Sequence, residues 1–460
     1  MDAFLGHHSE WNLGSPGGWD YQRITQVIGK AVWERLQAVT SLDMRLDFDH
    51  PQLYPVFGFV RLLLETHRAR EGSNPGVIAV VAEEETLQDV TENRNLALHL
   101  DAIEGIEGVL ASPREIECTR GRVSYRGRPV SLLFMDFNTD VLLDLHRKHG
   151  LDPLLQAVRE GRVINPRGME PINNKAMFEV LTGPHSSRFH PDIVERTPWT
   201  RRFHPRSTKG PQGEDIPDLV AWARSHWDSL VLKPVRGYSG KGVLVGGRDV
   251  DPDPCLEQAL GQGDYILQEK IPLPLWAEEI PALQDERLLL ERVQTDFRCL
   301  IGPGEVFGFL GRFGGVPTNV GSGGGVQPLA VLGEGIDVRR AAKAINEAVL
   351  KAPAQEVAAI AAMRDEMAVE HRFTYLLGPI RIALRPRLLT PSHLHALEVY
   401  GRRLWKDCLT LERMWLEGLL DELTHIDAEE LSISRMDPWK GSAAIIASDG
   451  LFSFGAHPLD

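Results

Sequence analysis

The chain has 460 residues, 43% hydrophobic and 25% charged, proportions that exclude a disordered or fibrous polymer and fit two or three folded domains. A formal charge of −14 with no basic run excludes nucleic acid as a partner, because its phosphates would be repelled. Cys118, Cys255, Cys299 and Cys408 form no CxxC pair, no apolar run reaches the ~20 residues of a membrane span, and the start is unlike a signal, so the expected location is cytoplasmic with no membrane partner.

Residues 1–18 read as a polar, Gly-rich arm. From Asp20 onward, Ile24, Val27, Ile28, Ala31, Val32 and Leu36 recur at helical spacing and predict an amphipathic helix with a buried stripe. The β-branched run Val77–Ala82 reads as a buried strand, followed by a helix over about 85–102 and a second strand near Val109. This is the βαβ rhythm of an open parallel sheet. Beyond it, Arg120-Gly121 and Arg126-Gly127 punctuate alternating segments as tight turns do. The apolar run Val130–Phe134 ends at Asp136 and Asn138, where polar groups in such a sheet face a ligand, the plainer use being an N-cap at Asn138 or Thr139. A helix over about 141–160 closes a first domain, residues 1–165.

Lys175 opens a helix whose apolar face is Met177, Phe178, Val180 and Leu181. A cation at a helix start opposes the macrodipole, and an anionic ligand would account for it better than local stability does. The polar, His- and Pro-rich stretch Gly183–Asp218 reads as a mobile connection, with His185, His190 and His204 solvated. Next comes the stretch around which the chain is organised, SLVLKPVRGYSGKGVLVGG at 229–247. Leu230, Val231 and Leu232 run into Lys233, a loop carries Gly237, Gly240 and Gly242, and Val243–Val245 leaves on the other side. Gly242 stands where a Walker loop needs Ser or Thr, so the expected object is a strand, a glycine flap and a strand. Its backbone N–H groups suit a polyphosphate, and the plainer alternative is a hairpin with solvated lysines. A helix near Cys255–Gly261 leads to the strand Tyr265–Ile271, whose polar end at Gln268 and Glu269 suits a hinge beside a purine.

A long hairpin follows, with its turn at Gly302-Pro303-Gly304. Centred on Pro303, it sets Asp296 opposite Leu310, Arg298 opposite Gly308 and Gln294 opposite Arg312. Asp296, Arg298 and Arg312 then share one face, and Phe297, Cys299, Phe307 and Phe309 the other. For each arginine alone, a surface ion pair is the simpler use. After the hairpin, Asn319 and Gly321, Gly323, Gly324 and Gly325 offer a side-chain oxygen and many N–H groups, which ends a second domain, 166–332. Residues 333–460 are mainly helical. One helix is predicted over about 337–371, and another from Thr390-Pro391 carries Leu394, Leu397, Leu404, Trp405, Cys408, Leu411, Trp415 and Leu419 on an apolar face. That face suits core packing or homo-oligomer contact. The intervening RIALRPRLL is basic and could help bind an acidic substrate, the plainer reading being a solvated connection, and the tail reads as a strand followed by a glycine turn.

Taken in order, Lys175 in NNKAMFEVL, Lys233 in VLKP, the GYSGKG flap, Gln268-Glu269, Asp296 and Arg298 in TDFRCLIG, Arg312, and Asn319 before GSGGG resemble the ATP-grasp superfamily over roughly residues 75–330. More narrowly, the set is similar to glutathionylspermidine synthetase-like enzymes and related amino-acid or peptide ligases. The resemblance implies an α/β (α+β) architecture in which a pre-ATP-grasp open-sheet domain precedes the ATP-grasp domain, with a helical C-terminal extension. It implies ATP and Mg²⁺ as cofactors. Lys175 and Lys233 would contact the ATP phosphates, and Gly237, Tyr238, Ser239, Gly240 and Gly242 would form the cover. Gln268, Glu269 and Ile271 would line the adenine and ribose pocket, Asp296 and Asn319 would help to hold magnesium, and Arg298 and Arg312 would neutralise the transferred phosphoryl group. The implied reaction joins a carboxylate and an amine, on small molecules or short peptides, through an acyl phosphate with release of ADP and phosphate. Two alternatives stay open: an ATP-dependent phosphotransferase, and a nucleotide-binding scaffold without turnover. One departure bears on the metal. Many relatives use a Glu-x-Asn, whereas Pro317 stands two residues before Asn319, leaving Glu291 and Glu305 as candidate further carboxylates.

Overall fold

The computed structural model describes residues 4–5, 7, 11–71, 75–164, 167–237, 241–247, 249–271, 277–284, 287–315, 318, 320, 323–375, 378–424, 426–436, 452–456 and 458–459. The chain is a mixed α/β protein, with three larger sheets among the described residues.

The first sheet follows from the β-branched runs near residue 80. Gly76–Val81 lies between Ile106–Ala111 and Arg128–Met135, all parallel, and Val163–Ile164 adds to the outer part of Arg128–Met135. Arg122–Tyr125 and Ile116–Thr119 continue it antiparallel through the two predicted turns. Arg120, Gly121, Arg126 and Gly127 all have positive φ, the mirror-type turn conformation that matches strand twist. The helix expected over about 85–102 forms at Thr91–Asp101, and Pro55–Glu71 is a helix that the sequence reading did not name. The helix expected over about 141–160 is two, Thr139–His149 and Asp152–Arg159, because Gly150 takes a left-handed conformation (φ 67°) that ends the first.

The second sheet has four strands in the order Leu244–Val245, Leu230–Pro234, Tyr265–Glu269 and Thr200–Arg202, all antiparallel. Leu230, Leu232, Leu267 and Trp199 pack with Leu219, Ala223, Leu256 and Ala259, which come from the helices Leu219–Ser225 and Pro252–Gln262. The stretch Gly183–Asp218 is therefore not an unstructured connection. It holds the helix Pro191–Arg196 and the edge strand Thr200–Arg202, and His190 is tied to buried Asp407 through its ring Nδ1 at 2.7 Å and its backbone N–H.

The third sheet is central. Arg287–Gly302 pairs with Glu305–Gly314, which continues through Gly325–Gln327 to Arg381–Ile382. The other edge of Arg287–Gly302 takes Ala277–Gln284 along its first half and Phe452–Ala456 along its second, and Trp11–Asn12 pairs with the latter. The expected arm thus contains a strand, with Trp11 buried and stacked on Phe178 at 5.1 Å. One face of this sheet, with Phe297, Cys299 and Phe309, packs on Leu394, Leu397 and Leu404 of the helix Pro391–Leu416. The other, with Leu310 and Val326, packs on Tyr21 and Ile24 of Trp19–Thr40 and on Ile345 and Val357. The expected helix over about 337–371 is a pair, Val338–Lys351 and Ala354–Glu370, interrupted at Ala352-Pro353. RIALRPRLL is not solvated throughout: Arg385 is buried against Glu278, whose carboxyl burial would raise but which Arg385 and Arg387 hold below the usual range.

Candidate functional site

The register of the four-stranded sheet sets Lys233 across from Ile266 and Val231 across from Gln268. Since Leu230, Leu232 and Leu267 face the helices, alternation turns Lys233, Ile266 and Gln268 to the opposite side. Lys233 Nζ donates to Gln268 Oε1 at 2.7 Å, and Gln268 Nε2 donates to Thr200 Oγ1 at 2.9 Å, so a buried amide is held between an ammonium and a hydroxyl. Lys175 reaches the same strand end by two bonds. Its backbone N–H donates to Val235 O at 2.9 Å, and its Nζ donates to Gly237 O at 2.8 Å. Both lysines therefore attend the exit of Leu230–Pro234, where the glycine segment begins. Gly237 (φ 127°) and Gly242 (φ 72°) have left-handed backbones, and a Cβ on Gly242 would meet Pro234 at 2.9 Å. Tyr238, Ser239 and Gly240 lie outside the described residues.

Gln268 and Glu269 part company. Successive residues of a strand point to opposite faces, so Glu269 turns away from Lys233 and, exposed, lines a cavity of about 980 Å³ together with Trp199, Arg201, Arg206 and Lys209. Arg201 is fully engaged there, donating to Thr182, Thr200, Thr208 and Lys209. Ile271 is buried just beyond the strand. The structure thus does not put Gln268 and Glu269 side by side on one wall.

In the central sheet the hairpin register differs from the expectation. Asp296 pairs with Arg312, Arg298 with Leu310 and Gln294 with Gly314, and a bulge follows at Leu300/Ile301. A shift by two keeps faces, so Asp296, Arg298 and Arg312 remain co-facial. The bulge reverses them beyond that point, and Phe307 sits with Leu300, Trp19 and Phe59 rather than with Phe297 and Phe309. Arg312 Nε donates to Asp296 Oδ1 at 2.7 Å and Nη2 to Oδ2 at 2.6 Å, and Thr318 Oγ1 also donates to Oδ2 at 2.6 Å. All three side chains are buried. Arg298 Nη1 donates to Gly17 O at 2.9 Å, which ties this face to the segment before Trp19–Thr40.

Of the residues offered for magnesium, the described carboxylates are each engaged with donors from the chain itself. The two Asp296 oxygens already accept three hydrogen bonds, Glu291 is paired with Arg381 at 3.3 Å, and Glu305 with Arg61 at 2.7 Å near the hairpin turn. Among the described residues no group of three His, Cys, Asp or Glu is placed to hold a metal. Asn319 lies outside the described residues.

Sequence reasoning missed an acidic group beside Gly17. Glu92 accepts hydrogen bonds from the backbone N–H groups of Gly18 (2.9 and 3.0 Å) and Asp20 (3.3 Å), capping the helix Trp19–Thr40 from another part of the chain. Burial nonetheless pushes its carboxyl up to about 8. Asp136, which the strand-end argument did single out, accepts from Asn93 Nδ2 at 2.6 Å and is raised by burial to about 6. Glu92 carries no local signal, since an acidic residue in a first helical turn looks like ordinary dipole matching. Thr200 and Thr318 were likewise hidden, in segments read as loops.

No known family profile matches the sequence, and no curated protein matches it. Among solved structures, the chain is similar to D-alanyl-alanine synthetase A from Vibrio cholerae O1 biovar eltor at 12% identity, with TM-score 0.26, over 50% of this chain and 68% of that one. It is also similar to the D-cycloserine synthetase DcsG at 13% identity, with TM-score 0.27, over 72% of this chain and 100% of that one. Likenesses this slight carry no inference about the chemistry of the present chain.

Proposed function

We propose that the chain is an ATP-dependent carboxylate–amine ligase of the ATP-grasp kind, acting on small-molecule or short-peptide substrates. The observation that supports this best is the corner at the end of Leu230–Pro234, where Lys175 grips Val235 and Gly237 while Lys233, on that same strand, is bonded to Gln268. Two ammonium groups beside a glycine segment form a cradle for the triphosphate tail of ATP. In such a segment backbone N–H groups approach phosphate without a Cβ in the way.

A carboxylate is a poor electrophile because it is anionic and lacks a leaving group. In the proposed reaction it takes the γ-phosphoryl group of ATP, ADP departs, and an amine then displaces phosphate to give an amide. The work asked of the chain is charge neutralisation and positioning, by Lys175 and Lys233 at the phosphates and by Arg312 at the transferred group, with water excluded by the glycine cover. No step is assigned to a metal held by Asp296.

A second reading, nucleotide binding without turnover, is favoured by one observation: Asp296 is closed by Arg312 and Thr318. Incubation with ATP and pooled amino acids, polyamines and small peptides, following ADP, AMP and new masses, separates the readings. ADP with an amide product is the expected result. A stable phosphorylated product would instead mark a phosphotransferase, AMP with pyrophosphate would mark adenylate chemistry, and ATP binding without consumption would mark the second reading.

A further inference from the structure

We infer that Asp296 is a positioning residue for Arg312 and not a ligand to the divalent cation that accompanies a nucleotide. The metal half of this inference rests on geometry alone; the phosphate half rests on the ATP reading above. Strand register sets Asp296 directly across from Arg312, so both side chains leave the sheet on one face with no need of a long reach. The guanidinium takes both carboxylate oxygens in a fork, and the Thr318 hydroxyl takes a further lone pair of Oδ2. Such a fork is the strong, planar form of a charge-assisted hydrogen bond. A magnesium-like ion demands near-octahedral oxygens at about 2.0–2.1 Å and would have to displace these donors beside a fixed positive charge. Breaking one member out of a buried pair leaves the other uncompensated, which makes that exchange unfavourable.

The carboxylates that would share the ion are committed elsewhere, Glu291 to Arg381 and Glu305 to Arg61. What the fork does accomplish is to fix the plane and direction of the Arg312 guanidinium. A positive charge held at one place neutralises a transferring phosphoryl group without reorganising at the moment of reaction. Lysine at this position could not replace it, having no fork to be held by.

Two titrations on the full-length chain test this. In the first, Mn²⁺ is titrated by electron paramagnetic resonance without nucleotide. Wild type, Asp296→Asn and Thr318→Val are expected to bind it alike, within about twofold. A loss of tenfold or more in Asp296→Asn, or a comparable gain in Thr318→Val, would overturn the inference. Thr318→Val returns a lone pair of Asp296 while leaving Arg312 paired, so this arm survives if Asp296→Asn fails to fold. In the second, a fluorescent ATP analogue and adenosine are compared on Asp296→Asn, Arg312→Met and the double variant, with thermal unfolding as the control for fold. Each single variant is expected to lose about tenfold or more in ATP affinity at unchanged adenosine affinity, and the double variant to lose no more than either. Additive losses, or rescue of Asp296→Asn by excess divalent cation, would refute the positioning role. If adenosine and ATP bind to none of the proteins, wild type included, the ATP reading fails while the Mn²⁺ arm still decides what Asp296 is.

Discussion

Lys233 illustrates how a single side chain here serves two purposes. It is half-buried, and Gln268, almost wholly buried, depends on it for one hydrogen bond and on Thr200 for another. Lys233→Met should therefore raise the dissociation constant for ATP by about 10–100-fold, and also cost about 1–2 kcal/mol of stability by leaving Gln268 Oε1 without its donor. Isothermal titration and urea unfolding measure the two losses separately. Glu412 is a residue of the opposite kind, with no substrate in view. It lies inside the apolar packing of Pro391–Leu416, and both carboxylate oxygens are buried with no hydrogen-bond partner among the described residues. Burial pushes its carboxyl up to about 7, against 4.5 for the free group, with Arg413 pulling weakly the other way. A folded value above the unfolded one means that the native state holds its proton longer. Glu412 thus lowers stability progressively as pH rises from about 4.5 to about 7. Glu412→Gln should flatten that slope and stabilise the protein at pH 8 by on the order of 1–2 kcal/mol, read from chemical unfolding at several pH values.

At the scale of elements, the central hairpin shows how one irregularity partitions a strand. Up to Leu300 the side chains alternate between the two cores, and the bulge before Ile301 then turns Phe307 into the core beneath Trp19. Two glycines lie close against its ring: a Cβ on Gly58 would meet it at 2.6 Å near its root, and one on Gly302 at 2.1 Å at its tip. Phe307→Ala should cost about 3–4 kcal/mol, because a cavity so tightly walled has little room to collapse. The start of Pro391–Leu416 is a simpler case. Thr390 Oγ1 accepts from the His393 N–H at 3.2 Å with Pro391 following, so Thr390→Ala should lose about 1 kcal/mol, again by urea unfolding.

For the molecule as a whole, the cores cross the sequence freely. Trp19–Thr40 packs against Val338–Lys351 and Ala354–Glu370, and the central sheet takes Phe452–Ala456 onto the edge of Arg287–Gly302 with Trp11–Asn12 outermost. A fragment ending at residue 336 would lose Pro391–Leu416 from one face of that sheet and Val338–Lys351 and Ala354–Glu370 from the cover of the other, and should show no cooperative thermal transition, whereas full-length protein should. The acid side of the pH profile also belongs to this scale. Asp20, buried near the start of Trp19–Thr40, suffers burial that would raise it, but His99, Arg23 and Asn95 bring it down to about 2. Its contribution is present above about pH 4 and is lost as pH falls towards 2. Because His99 and Asn95 belong to Thr91–Asp101, that loss loosens the packing of two helices together.

What the sequence by itself determined is local: the buried stripe of Ile24, Ile28, Val32 and Leu36, from which Val27 departs by being exposed, the β-branched strand at 77–81, the paired turns at Arg120-Gly121 and Arg126-Gly127, the strand pair flanking the glycine segment, and the cap at Thr390. Each is set by periodicity, backbone sterics or a short-range hydrogen bond, all of which a linear chain displays. Only the tertiary structure decided that Lys175 grips the end of Leu230–Pro234, that Glu269 turns from Gln268 towards the cavity lined by Trp199 and Arg206, and that Asp296 is closed by Arg312 and Thr318. Those outcomes depend on strand register and on partners far along the chain. A two-residue slip in register or a single bulge changes which side chains meet while leaving the hydrophobic pattern of either strand almost untouched.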